Sequence, residues 1–385
     1  MNDIGDAIAS AAPREGMNDL YQKINKYVYE IRMMEIDEYL YGMNRKKIDM
    51  EKAYEIISDA PNSECNPVTN FWKGCFADPN FPRYQSSRVE EDESRAEEFY
   101  RKAVDLDIKR MAEAGDQYAQ ACLGVMSIFG RGVDKNNEST AVEWFRKAVE
   151  QDYAHVKYEL GEMYRCGRGV GQNYSKAVEW YRKAAEQGHA DAQFNLGVIF
   201  RRGWGFDQNY STAMEWYRKA AEQGDARSQY YLGLMYEYGE GVDGNDSSAV
   251  EWYLKAAEQG HAYAQYNLGV MCENGCGVDQ SYSIAVEWYR KAAEQGDARA
   301  QYNVGLMYAN GRGVEQNYST AVEWYREAAE QGHDNAQNNL GWMYANGWGV
   351  EQNDSIAVEW YREAAEQGNA YAQNNLDQLI DNVFE

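Results

Sequence analysis

Residues 190–224 read ADAQFNLGVIFRRGWGFDQNYSTAMEWYRKAAEQG. The tryptophan of this stretch, Trp216, stands in a ladder with Trp144, Trp180, Trp252, Trp288, Trp324 and Trp360, each rung 36 residues from the next. A second ladder, Gly161, Gly197, Gly233, Gly269, Gly305 and Gly341, keeps the same step. A fixed period of roughly 20–50 residues marks an array of stacked supersecondary units. The 385-residue chain is therefore read as repeats before its length is divided into domains.

Each module predicts two helices. In the first, Ala192, Leu196, Gly197 and Phe200 recur three or four apart and share one face. Gly203 and Gly205 end it, because glycine accepts the left-handed conformation that closes a helix. Asn209 then offers its side-chain oxygen to the free N–H groups of the next helix, as do Asn173, Asn245, Ser281, Asn317 and Asn353 in their modules. The second helix turns Ala213, Trp216, Tyr217, Ala220 and Ala221 inward and stops at Gly224, while Glu215 and Lys219 pair on its outer side. Gly197 and Ala213 are small enough to let the helices touch. One pair cannot bury both of its apolar faces, so pairs must stack.

The pattern A-x-x-x-L-G-x-x-Y, then G-x-G-V, then A-x-x-W-Y-x-x-A-A-x-x-G resembles the Sel-one-like repeat family, relatives of the tetratricopeptide repeat with a longer loop between the paired helices. It spans roughly residues 117–382 and recurs seven times. The resemblance implies an all-α fold, a right-handed solenoid superhelix of antiparallel helix pairs. It also implies a non-catalytic adaptor that assembles protein complexes.

Around the motif the chain divides into an N-terminal region, 1–93, and the array, 94–385. The N-terminal region holds a diverged repeat at 17–60 and an irregular segment rich in proline and aromatics at 61–90. The array opens on a leading helix at 94–114, whose Ala96, Phe99, Tyr100 and Ala103 mimic the second-helix face. Seven pairs follow over 117–367. A lone helix at 370–382 caps the end, and Asp377 takes the glycine's place because no second helix follows to press on it.

Net charge is −24 and the isoelectric point is near 4.6; residues 1–93 contribute −7 and the remainder −17. A field of that sign disfavours nucleic acid and anionic membrane and favours basic protein segments. No stretch approaches the roughly 20 apolar residues of a membrane span. The first residues have neither the basic flank nor the apolar core of a signal peptide. The six cysteines have no regular spacing, whereas cysteine-rich secreted members of the family staple each repeat with a disulfide. Together these features point to a reducing, cytoplasmic setting. Oligomeric state is left open.

The G-x-G loops follow helices rather than strands, so they read as caps and not as phosphate cradles. His155, His189, His261 and His333 follow repeat boundaries, three of them in the same repeat position and so at least one full pair apart, and Cys272 and Cys276 lack further partners, so no metal, cofactor or catalytic set is expected. The candidate binding face is that of the first helices, which line the concave side of tetratricopeptide-type stacks. Its residues are Phe194, Asn195, Arg201, Arg202, Tyr230, Tyr231, Glu237, Tyr266, Asn267, Glu273, Tyr302, Asn303, Asn339 and Trp342. Asparagines can pair with both the N–H and C=O groups of an extended peptide. Aromatics add contact area that tolerates many sequences, and Glu237 and Glu273 would select Lys- or Arg-bearing segments. The blander alternative is that the asparagines bond neighbouring helices and the tyrosines are core. Two other functions are weighed. One is a hydrolase of the β-lactam type reported among cysteine-rich relatives; the missing disulfides disfavour it. The other is an acidic decoy of nucleic acid, disfavoured because Glu is interleaved with Arg and Lys.

Overall fold

The computed structural model describes residues 98–102, 108–129, 137–149 and 154–384. The expected diverged repeat at 17–60, the irregular segment at 61–90, Cys65 and Cys75 lie outside these residues. Among the described residues every regular element is a helix. They fall into two compact units, one ending at Gly224 and the other spanning Asp225–Glu385.

The first unit holds a helical stretch at 98–102, then α1 (Ile108–Glu113), α2 (Gln117–Phe129), α3 (Glu138–Ala148), α4 (Ala154–Cys166), α5 (Tyr174–Glu186), α6 (Ala190–Arg202) and α7 (Tyr210–Glu222). The second holds α8 (Ala226–Tyr238), α9 (Asp246–Glu258), α10 (Ala262–Asn274), α11 (Tyr282–Glu294), α12 (Ala298–Asn310), α13 (Tyr318–Glu330), α14 (Asp334–Asn346), α15 (Asp354–Glu366) and α16 (Ala370–Phe384). Within each unit, consecutive helices pack as antiparallel pairs and each pair stacks on the next.

A glycine and a tyrosine hold each pair together. A Cβ built on Gly269 of α10 would lie 2.6 Å from the ring of Tyr289 on α11, far inside contact distance. The same collision recurs at Gly161 with Tyr181, Gly197 with Tyr217, Gly233 with Tyr253, Gly305 with Tyr325 and Gly341 with Tyr361, and at Gly124 with Phe145. Tyr181, Tyr217, Tyr253 and Tyr289 have no exposed surface. The tryptophan ladder behaves differently. Trp216 is buried, but Trp144, Trp180, Trp252, Trp288, Trp324 and Trp360 are only half-buried. The expectation that Trp and Tyr share the inner face is therefore corrected for most pairs. The physical reason is that the tyrosine ring alone fills the space at the glycine, which leaves the indole at the edge of the core. In five pairs a lysine three residues on sets its ammonium over the ring, as where Lys255 Nζ is 4.1 Å from the Trp252 centroid. The indole is thus sandwiched between core and cation.

A polar column unites successive pairs inside this apolar frame. Gln193, Gln265 and Gln337 are each less than 5% exposed. Gln265 Nε2 donates to the Ala257 carbonyl of the preceding pair at 3.0 Å, and its Oε1 accepts from Gln295 Nε2 at 2.7 Å. Gln193 repeats both bonds with Ala185 and Gln223, and Gln337 with Ala329 and Gln367. Buried amides satisfied in this way fix register, because a slipped pair would strand them without partners.

Second helices begin on the expected caps: the side-chain oxygens of Asn173, Asn209, Asn245, Asn317 and Asn353 accept the N–H three residues on. First helices alternate between two capping chemistries. His189, His261 and His333 accept the N–H of Ala192, Ala264 and Ala336 on Nδ1, at 3.3–3.4 Å. Asp225 and Asp297 do the same with a carboxylate, accepting from Ser228 and Ala300. Burial lowers the pKa of His261 and of His333, against the raising influence of Asp225 and Asp334 respectively. Arg227 faces His261, and Asp297 and Arg299 face His333.

Two outcomes follow from these contacts. Replacing the fully enclosed Tyr253 by alanine should cost about 3–5 kcal/mol. Trp252→Ala, which removes a half-buried indole, should cost about half that. Urea midpoints in the reverse order would contradict the assignment of faces. The second outcome is a pH dependence. A histidine that caps as the neutral base and has a depressed folded pKa stabilises the fold above its unfolded value near 6.5. That contribution is lost as pH falls from about 6.5 through the lowered folded value. A His261→Asp/His333→Asp variant, carrying the cap of the alternate pairs, should lose less stability than wild type between pH 7.5 and 5.5; parallel losses would exclude a capping role for the imidazoles.

Candidate protein-binding face

The residues expected on the first-helix face are divided between the two units. In the first, Phe194, Asn195, Arg201 and Arg202 all lie on α6. In the second, Tyr230, Tyr231 and Glu237 lie on α8, Tyr266, Asn267 and Glu273 on α10, Tyr302 and Asn303 on α12, and Asn339 and Trp342 on α14.

The aromatic column is half-buried. Each member leans on the locking ring of its own pair: Phe194 on Tyr217, Tyr230 on Tyr253, Tyr266 on Tyr289 and Tyr302 on Tyr325, with centroids 5.8–5.9 Å apart. In the second unit the other side of the ring meets the cap of the next pair. Where that cap is histidine the imidazole stacks, His261 on Tyr230 at 4.8 Å and His333 on Tyr302 at 4.7 Å. Where it is aspartate, the nearby arginine stacks instead: Arg299, bonded to Asp297, lies 4.2 Å over Tyr266. The column therefore wedges successive pairs apart at a fixed distance and leaves ring edges at the surface. Tyr231 packs edge-on against Tyr230 at 5.5 Å.

The amides and carboxylates on this face are engaged within the protein. Asn195 Nδ2 donates to Glu162 Oε1 of the preceding pair at 2.7 Å, and Glu162 also takes the Tyr181 hydroxyl and both donors of Arg165. Tyr253 donates to Glu237, and Tyr289 donates to Glu273 Oε2 at 2.8 Å. Asn267, Asn303 and Asn339 lie near the Tyr253, Tyr289 and Tyr325 phenols of the preceding pairs and act to lower their pKa. Burial first, and then these carboxylates, push the Tyr253 and Tyr289 phenols well above their usual value. Tyr361 has Ala345 where α8 and α10 carry the glutamate, and burial pushes it up to about 12. At Asn195 the bond that the blander alternative foresaw is thus present, running to the preceding pair. Arg201 is half-buried and its carbonyl accepts from Gln208, while Arg202 is exposed.

Trp342 departs from the column. It is 38% exposed and meets Trp348 of the following loop edge-on at 4.4 Å, and Trp348 in turn rests on Tyr318 at 4.8 Å. In the first unit, Trp204 rests on Tyr174 at 5.8 Å and is likewise exposed. Trp204 and Trp348 are the middle residues of their G-x-G loops, and sequence spacing alone does not reveal their partners, because the stacking tyrosine lies one repeat earlier. Among the described residues no group of three or more His, Cys, Asp and Glu side chains could hold a metal ion. Cys272 is buried in the core and Cys276 is exposed in the loop.

A model of the Sel1 repeat matches residues 83–108, 117–153, 154–189, 190–225, 226–261, 262–297, 298–333 and 334–369. The first match begins one repeat before the full motif becomes legible, over the segment read as a leading helix. Among solved structures, a Sel1 repeat protein from Oxalobacter formigenes is 32% identical, with a TM-score of 0.61, covering 89% of this chain and 94% of that one. The protective antigen c5321 of uropathogenic Escherichia coli, described as displaying an SLR fold, is 28% identical over 96% of this chain and 91% of its own, with a TM-score of 0.39. No curated protein matches the chain by sequence. Matched by the repeat over most of its length, and built throughout its described residues from the helix pairs the repeat encodes, the chain belongs to the Sel1 repeat family.

Proposed function

We propose that this protein is a non-catalytic scaffold that binds an extended, Lys- or Arg-bearing protein segment across the first-helix face of the Asp225–Glu385 unit. The observation that carries this reading is the distribution of exposed aromatics. Tyr238, Tyr263, Trp342, Trp348 and Tyr371 are all between 38% and 74% exposed, and all belong to first helices, the loop after one, or the final helix. Among the described residues the second helices present no exposed aromatic; beside Leu254 and Ile284 their solvent side is mainly Glu, Lys and Arg. Exposed aromatics on a rigid frame are the material of protein-binding hot spots. Sel1 and tetratricopeptide-like arrays generally serve as protein-interaction scaffolds, which agrees with this assignment.

Neighbouring pairs advance by about 10 Å, the separation of packed helices. An extended ligand rises about 3.3 Å per residue, so each pair would meet roughly three of its residues. Tyr231, Tyr266, Tyr302 and Trp342 supply contact area, the amide oxygens of Asn267, Asn303 and Asn339 accept ligand N–H groups, and Glu273 favours a cation. The net charge of −24 speeds the approach of basic segments, an effect that salt weakens. Arg202 and Asn195 belong to the corresponding face of the first unit. A cytoplasmic location is part of the same proposal: Cys166 and Cys276 are free and exposed, which suits a reducing compartment. Among the described residues no helix is long and apolar enough to cross a membrane.

The proposal is tested by selecting peptides from a random library on the full chain. Selected peptides should be rich in Lys and Arg, and a Tyr231→Ala/Trp342→Ala variant should bind them about tenfold or more weakly with an unchanged melting temperature, since both side chains are largely outside the core. Binding that survives this variant and is lost in Glu258→Ala/Glu294→Ala would place the ligand on the second helices and overturn the reading.

A further inference from the structure

In five pairs the chain seats a cation of its own on the tryptophan of the second helix. The ammoniums of Lys147, Lys183, Lys219, Lys255 and Lys291 lie 3.8–4.2 Å from the ring centroids of Trp144, Trp180, Trp216, Trp252 and Trp288. Lys183 displays the whole seat. Its Nζ is 4.2 Å from the Trp180 centroid and 2.8 Å from Glu179 Oε1, on the residue just before the tryptophan. An indole face beside a carboxylate is a favourable site for an ammonium or guanidinium.

The last two pairs keep the seat and lose the lysine. Glu323–Trp324 on α13 and Glu359–Trp360 on α15 repeat the Glu–Trp pair, but positions 327 and 363 are glutamate. Each of these carboxylates is held by a buried glutamine of the pair's first helix: Glu327 Oε2 accepts from Gln301 Nε2 at 3.0 Å, and Glu363 Oε2 from Gln337 Nε2 at 3.1 Å. Trp324 and Trp360 are half-buried, and Glu323, Glu327, Glu359 and Glu363 are exposed. Two glutamates four apart on one helix repel each other, a cost that a cation between them removes. The guanidinium of Arg326 is bonded to the Tyr344 hydroxyl at 2.9 Å.

We propose that Trp324 with Glu323 and Glu327, and Trp360 with Glu359 and Glu363, form a tandem seat for two lysine or arginine side chains of a partner protein. The partner's cations take the place that Lys183 and its counterparts fill from within the chain. The two seats are one repeat apart, and neighbouring pairs step about 10 Å. A polyproline II segment rises about 3.1 Å per residue with three residues per turn, so its side chains at every third position point the same way about 9 Å apart. The occupant is therefore a basic segment with Lys or Arg at every third position in that conformation. Both seats lie on second helices, so this surface is separate from the first-helix face.

The probe is a peptide of repeated Lys-Pro-Pro, titrated calorimetrically into the full chain beside a peptide of equal composition whose lysines are bunched in pairs. Wild type should prefer the regular peptide; equal affinity for the two would overturn the tandem spacing. Glu327→Lys/Glu363→Lys recreates the Trp–Lys spacing of the other five pairs, so it is compatible with the fold, and it should weaken binding about tenfold or more by filling both seats from within. Glu330→Lys/Glu366→Lys makes the same change in charge on the same helices one turn away and should weaken binding about threefold or less. Equal weakening by the two variants would reduce the effect to a general acidic field, and unchanged binding in Glu327→Lys/Glu363→Lys would remove the seats altogether. Tyr231→Ala/Trp342→Ala should leave this probe unaffected, so the proposal and the first-helix reading fail separately.

Discussion

The contact between a bare glycine Cα and a tyrosine ring is the constraint on which the rest of this structure depends. At Gly197, Gly233, Gly269 and their counterparts the ring of the paired helix occupies the space a methyl group would need. That closeness sets the separation of the two helices in each pair, and small residues such as Ala249, Ala256, Ala285 and Ala292 line the remaining contact with no exposed surface. Interiors packed this closely tolerate little change in volume. A rigid pair is the result, repeated at a fixed step.

From that rigidity follows a division of labour among the polar residues. Glutamines 193, 265 and 337 are buried and join one pair to the next, so they define register. The tyrosine hydroxyls, already buried by the lock, need acceptors, and Glu162, Glu237 and Glu273 provide them. What remains free to vary is the outer surface. There the chain places loop tryptophans, first-helix aromatics and, on the last two pairs, glutamates where the others have lysines. The departures from the repeat thus lie at the surface, and the repeat itself carries stability.

The fold was legible because the Trp and Gly ladders share one period, and a period is independent of packing detail. The asparagine caps of the second helices were legible for a similar reason, since capping is local in sequence. Interactions that cross from pair to pair were harder to read. Trp252 and Tyr253 are adjacent and both apolar, yet only the tyrosine is enclosed; nothing in the order W-Y says that Lys255 will cover the indole. The histidines at 189, 261 and 333 were recognised as periodic, but their alternation with Asp225 and Asp297 gained a meaning only when imidazole and guanidinium were seen to stack on equivalent tyrosines. The candidate face was legible as columns of residues. Whether its asparagines turn inward was not, because a side chain at the surface of a helix can turn toward solvent or toward a neighbour with the same spacing; at Asn195 it turns to Glu162.

The central claim is that the glycine exists for the tyrosine, and a double-mutant cycle on one pair tests it most directly. Gly269→Ala alone should destabilise by about 1–3 kcal/mol, as overpacking does. In a Tyr289→Leu background, where the ring is gone, the same substitution should cost much less, giving a coupling of the order of 1 kcal/mol or more between the two sites. Strictly additive effects would show that the glycine and the ring act independently, and would contradict the account.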